Sequence, residues 1–137
     1  MRVARSILAS LLLIICAITG CGGPVGPTFG SVRFEDGSPV RAGSIEFRRL
    51  EDKSRFASRI AQDGSFQPAA GNGELGLPPG DYEVVVVQIV LTEDLAKEAH
   101  THGSTVPRRY ADYYTSGLRY AVDEGEQDAI QIYVQPE

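Results

Sequence analysis

The sequence predicts an all-β sandwich of six or seven strands, and two observations lead to this fold class. Short segments alternate apolar and polar side chains with the two-residue period of a strand. Turn-forming residues separate these segments at regular intervals, as is typical of sandwiches. The predicted strands are residues 29–35, 44–49, 56–61, 65–67, 82–91, 118–122 and 129–134.

Alternation assigns an inner and an outer face to the first two strands and to the last. Val32 and Phe34 share one face of the first strand, and Ile45 and Phe47 share one face of the second. In the last strand the apolar face carries Ile130, Ile132 and Val134. We expect these faces to form the core.

Turn chemistry separates the strands. Asp36-Gly37-Ser38-Pro39 ends the first strand, and Asp63-Gly64, a dipeptide that tolerates positive φ, ends the third. Pro78-Pro79-Gly80-Asp81 stops the chain before the fifth strand. Glu124-Gly125-Glu126-Gln127 predicts a hairpin that joins the last two strands.

The segment Val84–Leu91 departs from alternation, because both of its faces are apolar. Something must cover its second face. One candidate is the long connection Thr92–Gly117, which is predicted to begin with a short helix capped by Thr92. A partner protein is the other candidate, although monomers seldom expose so large an apolar patch, which favours the internal cover.

The N-terminus has the layout of a cleaved signal. Arg2 and Arg5 precede an apolar run over residues 7–18, which is too short to span a bilayer, and Ile18-Thr19-Gly20-Cys21 follows. This box resembles the bacterial lipobox. The resemblance implies cleavage before Cys21, a diacylglycerol on its sulfur and acylation of its new amino group. An ordinary secretory signal with an incidental cysteine is the alternative, but A-x-A-like cleavage residues are missing here.

These observations divide the chain into residues 1–20 as signal peptide, 21–28 as lipidated cysteine with a Gly/Pro tether, and 29–137 as one domain. Removal of Arg2 and Arg5 changes the formal charge from −5 to −7, since 11 basic and 18 acidic residues remain. Such a charge argues against nucleic acid as a partner and against an electrostatic membrane patch. Cys16 is discarded and Cys21 is modified, so no disulfide is expected.

Several short segments follow one another in order along residues 29–134: Gly30-x-Val32, Asp36-Gly37-Ser38-Pro39-Val40, Gly43-x-Ile45-x-Phe47, Asp63-Gly64-Ser65-Phe66, Leu77-Pro78-Pro79-Gly80-Asp81-Tyr82-x-Val84, Val106-Pro107-x-x-Tyr110 and Thr115-Ser116-Gly117-Leu118. With these segments, the region resembles the carboxypeptidase-regulatory-like, transthyretin-like domains of short bacterial lipoproteins. The resemblance implies a seven-stranded Ig-like, transthyretin-like (prealbumin-like) sandwich with a short helix in the long connection after the central strand. It also implies a non-catalytic accessory or binding module that needs no cofactor.

His100-Thr101-His102 holds both histidines of the chain. On a strand, a His-x-His pair points both rings to one face and can bind a metal ion. Gly103-Ser104 follow at once, which favours a solvated loop instead. His100 and His102 are therefore the weak metal candidates of this chain, and a metal-binding module is one alternative function.

An enzyme of transthyretin-like topology is the other alternative. Related hydroxyisourate hydrolases end in Tyr-Arg-Gly-Ser, whereas this chain ends in Tyr133-Val134-Gln135-Pro136-Glu137, so we expect no such activity. The run Gly71-Asn72-Gly73-Glu74-Leu75-Gly76 matches the dinucleotide pattern in letters alone, because Pro78 and Pro79 prevent the helix that this pattern requires. We expect a loop there.

Arginines concentrate in the early strands. Outward arginines on sandwich strands usually pair with acids, here Glu35, Glu46 and Asp52, and an anion-binding patch is the alternative. Arg108-Arg109-Tyr110 is predicted to anchor a loop, with the tyrosine packed and the charges outside. The arginines in question are Arg33, Arg48, Arg49, Arg55 and Arg59.

Together these patterns predict a lipid-anchored, non-enzymatic binding or scaffolding module of the cell envelope. Its membrane contact is the lipid on Cys21, and its further partner is an envelope protein or glycan. Gly22 stands where an Asp would resemble an inner-membrane retention signal, which favours the outer membrane in a cell that has two.

Overall fold

The structure, a computed structural model, describes residues 25–88 and 104–137. Within these ranges the chain forms eight strands and two helical turns, a 3-10 turn at Arg108–Ala111 and helix α1 at Tyr113–Ser116. No helix in the described ranges has the length and apolar character that crossing a bilayer requires. The strands are β1 (Gly30–Phe34), β2 (Ser44–Arg49), β3 (Arg55–Arg59), β4 (Ser65–Phe66), β5 (Ala69–Ala70), β6 (Gly80–Val87), β7 (Leu118–Val122) and β8 (Ile130–Val134).

The strands form two sheets, which confirms the all-β class. The three-stranded sheet has the order β4-β1-β8 and the five-stranded sheet the order β5-β3-β2-β6-β7. All seven predicted strands are present at their predicted places, with ends that differ by a few residues, and the predicted end of the fifth at 89–91 lies outside the described residues. The additional strand is β5, whose two residues pair with Phe56 and Ala57 and are too short to show alternation. The predicted loop Gly71–Gly76 follows it and is confirmed.

A single apolar core lies between the two sheets, and the predicted inner faces form it. The three-stranded sheet contributes Val32, Phe34 and the apolar face of β8. The five-stranded sheet contributes Ile45 and Phe47, which are buried as the alternation predicts. The Phe47 and Phe66 rings, one from each sheet, lie 5.7 Å apart between centroids and so connect the layers.

Tyr82, near the start of β6, is fully buried in this core. Its ring packs edge-on against Phe47 and Phe56 at centroid distances of 6.3 and 6.0 Å. Its hydroxyl donates to the Pro78 carbonyl oxygen, four residues upstream. Burial raises the pKa of Tyr82 to about 12, so the phenol stays protonated and remains a donor. Tyr82 therefore joins the Pro-Pro-Gly turn to the core.

The hairpin predicted between the last two strands is wrong. β7 pairs antiparallel with β6, and β8 pairs parallel with β1, so the turn at 123–128 crosses from one sheet to the other. Gly125 adopts φ +77°, which shows that the turn itself was correctly placed. The apolar face of β8 completes the three-stranded layer of the core, and this burial decides where the strand pairs.

The second apolar face of β6 is covered from within the chain at Val85. Val85 points away from the core and is nevertheless buried, and both the 3-10 turn and α1 pack on β6. Tyr110 is buried while Arg108 and Arg109 stay exposed, so the predicted loop anchor is confirmed. A short helix, α1, does lie in this connection, whereas the predicted Thr92-capped helix falls outside the described residues.

The segment predicted as a tether is packed at its end. Pro27 is buried and its carbonyl oxygen accepts a 3.0 Å hydrogen bond from the Leu77 nitrogen. A Cβ on Gly26 would lie 1.7 Å from the Leu77 oxygen, so only glycine fits this crossing. The packed part of the chain therefore extends back to Gly26, inside the range 21–28, because two backbones meet there.

Three turns share one Asp-x-Ser design. In each, one aspartate oxygen accepts two hydrogen bonds, one from the backbone nitrogen and one from the hydroxyl of the serine two residues later. The middle residue has positive φ, +89° at Gly37 and +85° at Gly64. These hydrogen bonds lower the pKa of each aspartate, and the bond from the serine hydroxyl has the largest effect. The turns are Asp36–Ser38, Asp52–Ser54 and Asp63–Ser65.

We predict that Tyr82→Phe destabilises the domain by about 1–2 kcal/mol, because the Pro78 carbonyl loses its donor while the ring packing is kept. Urea unfolding followed by circular dichroism measures the change. Tyr133→Phe is the control, because Tyr133 is 54% exposed on β8 and its substitution should leave the midpoint unchanged. Equal midpoints for wild type and Tyr82→Phe would contradict the role given to this hydroxyl.

The Asp-x-Ser turns predict loss of stability in acid. Because their folded-state pKa values are lowered, they add stability above the unfolded-state pKa of about 4, and this stability disappears as pH falls below it. Replacing Asp36, Asp52 and Asp63 together by Asn keeps the acceptor oxygen and removes the titration. The urea midpoint of this triple variant should fall less than that of wild type between about pH 6 and pH 3. Parallel profiles would show that these turns do not cause the dependence.

Candidate functional site: a charged face of the five-stranded sheet

Three residues singled out from the sequence lie outside the described residues. They are Cys21, the predicted lipid attachment site, and His100 and His102, the weak metal candidates. The lipid anchor and the metal site stay predictions. Within residues 25–88 and 104–137, no group of three His, Cys, Asp or Glu side chains is arranged to hold a metal ion.

The five early arginines do not form one patch. Arg33 belongs to β1 in the other sheet, where its Nη1 donates to the Gly37 oxygen at 3.0 Å rather than pairing with Glu35. Arg49 turns to the end of the sheet, where its Nη2 donates to the Pro79 oxygen at 2.6 Å. It also pairs with Asp52, as predicted, at 3.5 Å. Arg48 and Arg55 lie together on the outer face of the five-stranded sheet, whereas Arg59 lies at the other end of β3, opposite Ser44.

On that outer face, four charged residues lie side by side in one row across four strands. Arg55 of β3 is the register partner of Arg48 in β2, and Arg48 is the partner of Glu83 in β6. Glu83 is in turn the partner of Arg119 in β7. We call this row, together with Glu46 and Tyr113, the charged sheet face.

Glu83 holds the centre of the row. One of its oxygens accepts from Nε and Nη2 of Arg48, with the Nε distance 2.8 Å. Its other oxygen lies 3.1 Å from Nη1 of Arg119. Two guanidinium groups therefore share one carboxylate, and the Arg48 hydrogen bonds, ahead of all other causes, hold the pKa of Glu83 below its usual range.

Tyr113 of α1 closes over this row. The Arg48 guanidinium lies 3.9 Å from the centre of the Tyr113 ring, a cation–π contact. The Tyr113 hydroxyl donates to Oε1 of Glu46, the same oxygen that lies 3.8 Å from Nε of Arg55. Burial, followed by the Glu46 hydrogen bond, raises the pKa of Tyr113. The phenol therefore stays neutral and acts as a donor.

Short local signals position Tyr113. Asp112 caps α1, since its side chain accepts from the Tyr114 nitrogen at 2.7 Å. Gly117, with φ +68°, ends the helix. Ser116 is buried and its hydroxyl donates to the Val84 oxygen, which fixes the helix to β6. The helix is thereby held against the sheet.

Exposure divides the arginines of this face into two kinds. Arg48 is 21% exposed between its carboxylate and its ring, whereas Arg55 and Arg119 are 63% and 59% exposed at the two ends of the row. The outer pair can therefore reach a bound molecule while the inner one orders the network. Three arginines and two glutamates leave an excess of one positive charge on this face of an acidic protein.

The site is suited to binding charge rather than moving protons near neutral pH. The pKa of Glu83 is lowered, and those of Arg48 and Tyr113 are raised, so each shift moves its group further from neutrality. General acid–base catalysis needs a group that titrates near the working pH. What the face does offer is exposed guanidinium N–H groups, which suit carboxylate, phosphate or sulfate oxygens.

Comparison with known proteins returned no match for this chain among protein families, curated proteins or solved structures.

The sequence pointed to part of this site. Arg48, Arg55 and Glu46 were noted as outward residues, and the strand Leu118–Val122 was predicted, but Arg119 and Glu83 were not connected to the others. Their alternation was visible, whereas the lateral order of strands that brings them together was not. Tyr113 lies in the long connection 92–117, and its sequence pattern does not indicate that it contacts Arg48 and Glu46.

Proposed function

We propose that this protein is a lipid-anchored, non-catalytic β-sandwich module of the cell envelope that binds an anionic partner through the charged sheet face. The anchor rests on the sequence Ile18-Thr19-Gly20-Cys21 after a short apolar run. The partner is an envelope protein or glycan that presents carboxylate, phosphate or sulfate groups. The outer membrane is the proposed location in a cell that has two membranes.

The architecture supports the family resemblance on which part of this proposal rests. Two sheets around one core, with the Pro-Pro-Gly turn followed by a buried tyrosine, fit a transthyretin-like or Ig-like sandwich. The Tyr82 hydroxyl bonded to the backbone upstream is similar to the tyrosine corner of Ig-like domains. Many unrelated functions share such folds, so the fold alone supports no particular partner.

One observation carries the binding proposal: three guanidinium groups face two carboxylates on a rigid sheet, and the two outer ones are open to solvent. Glu83 pairs with Arg48 and Arg119, and Glu46 with Arg55, before a ligand arrives, and groups placed in advance lower the entropic cost of binding. Because the ionisable groups with shifted pKa values lie far from neutrality, the same arrangement supports binding over catalysis.

The anchor is tested on Cys21. In bacterial cells that process lipoproteins, wild type should begin at Cys21 and carry the mass of the attached acyl groups. Cys21→Ser should retain residues 1–20 and lack that mass, because its sulfur is the group that takes the lipid. Cys16→Ser is the matched control and should be processed normally. Mass spectrometry that finds a free thiol at Cys21 of the processed wild type would refute the anchor.

The binding face is tested by charge-matched variants. Wild type should be retained on a sulfated dextran resin at low ionic strength despite its net negative charge, and Arg55→Gln/Arg119→Gln should elute without delay. Arg33→Gln/Arg41→Gln removes the same charge from β1 of the other sheet and from the exposed connection before β2, and should elute like wild type. We expect the first pair to weaken binding about ten-fold, since it removes both exposed guanidinium groups. Equal elution of the two double variants would mean that net charge, and not this face, governs retention.

A further inference from the structure

Three large apolar side chains are exposed together where the described chain begins. Val25 is 60% exposed, Phe29 49% and Leu75 45%. We call these three residues the apolar rim. By contrast, Val32 and Phe34 of β1 and Ile130 and Ile132 of β8 are buried in the core.

Backbone contacts fix the rim as one feature. The crossing of Gly26 over Leu77 joins the first described residues to the loop that carries Leu75. A Cβ placed on Gly76 would lie 3.1 Å from the Gly26 oxygen, so this loop and the N-terminal segment touch at successive residues. Phe29 is held from the other side, since its carbonyl oxygen accepts from the Ile130 nitrogen at 2.9 Å. The rim is thus part of the folded body.

A shallow, open groove of about 340 Å³ continues the rim between β3 and β4. Phe29, Phe66 and Leu75 line it together with Arg59 and the polar residues Ser58, Ser65 and Gln67. Apolar side chains beside a cation are a composition that suits the boundary between lipid headgroups and acyl chains.

Chain length relates this rim to the proposed lipid. Cys21 precedes Val25 by four residues, which span at most about 14 Å when fully extended. If Cys21 carries lipid, as proposed above, Val25 cannot lie further than this from the bilayer surface. Val25 is therefore held near the membrane, and the loop that carries Leu75 touches the same N-terminal segment, so burial in the headgroup region is available to this surface.

We propose that the apolar rim inserts into the headgroup–acyl boundary of the membrane that holds the lipid on Cys21. The attachment then has two parts, a covalent lipid and a protein surface, and the second part fixes the orientation of the domain. The charged sheet face lies along the side of the sandwich, so this orientation leaves it open to a partner. This inference rests on the proposed lipid anchor.

Charge near the rim indicates which lipid it meets. The acidic turn 123–128 leads into β8 beside Phe29, and Glu74 precedes Leu75, whereas Arg59 is the cation that lines the groove. Anionic headgroups would be repelled by this balance, so apolar burial must drive the contact. Zwitterionic headgroups are the lipid surface that this rim fits.

Tryptophan fluorescence tests the insertion, because the natural chain contains no tryptophan. Phe29→Trp and Leu75→Trp each place one reporter in the rim, and either is sufficient if the other fails to fold. Tyr114→Trp is the matched control: Tyr114 is 94% exposed on α1, a helix that adjoins the far end of β8 through Arg109 and Gln135. The full acylated chains are reconstituted into phosphatidylcholine vesicles with plain or dibrominated acyl chains.

Bromine on the acyl chains quenches only tryptophans that enter the bilayer. We expect about a two-fold loss of emission at positions 29 and 75 in brominated vesicles, and none at position 114, for a shallow interfacial insertion. Acylated, vesicle-bound protein whose rim reporters are as unquenched as the control would overturn the insertion and leave the anchor standing. Absence of acyl mass in the same samples would overturn both. Tryptophan emission at positions 29 and 75 that changes with the number of protein molecules per vesicle, but not with bromine, would show that the rim contacts a second copy of this chain. That result would also overturn the insertion.

Discussion

Both the core and the charged sheet face depend on the register in which β2 pairs with β6. Phe47 lies opposite Val84, which places both inside, and Arg48 therefore lies opposite Glu83 on the outer face. A slip of one residue would put the charges into the core and the apolar side chains into water. The buried apolar side chains of this pair thus enforce the geometry of the ion pairs, although exposed ion pairs contribute little stability of their own.

The outer face shows how a stable sheet can carry a site without added strain. Arg48 is surrounded by the Glu83 carboxylate and the Tyr113 ring, so its position is set by groups that are themselves fixed. Tyr113 is in turn fixed through α1, which Ser116 ties to β6. The connection that covers Val85 therefore serves two purposes, since it shields an apolar residue of β6 and orders the arginine row beside it.

The local sequence pattern predicted the strands themselves better than it predicted their order in the sheets. Alternation and turn residues predicted seven strands, and alternation assigned the inner faces of the first two and of the last, because burial imposes a period of two on each strand separately. It could not show that β8 joins β1 or that Arg119 reaches Glu83, since a turn such as Glu124–Gln127 reverses the chain without choosing its neighbour. The two-residue strand Ala69–Ala70 is too short for any period. The predictions for Cys21, His100 and His102 concern residues that lie outside the described ranges.

The parallel pairing of β1 with β8 has a mechanical consequence. The strands run in the same direction along five paired positions, with the first described residues before β1 and the C-terminal residues after β8. A pull applied between the two ends of the domain therefore acts along both strands in opposite senses. Their hydrogen bonds are loaded together in shear instead of opening one at a time. The sandwich therefore resists unfolding most strongly when it is pulled between these two ends.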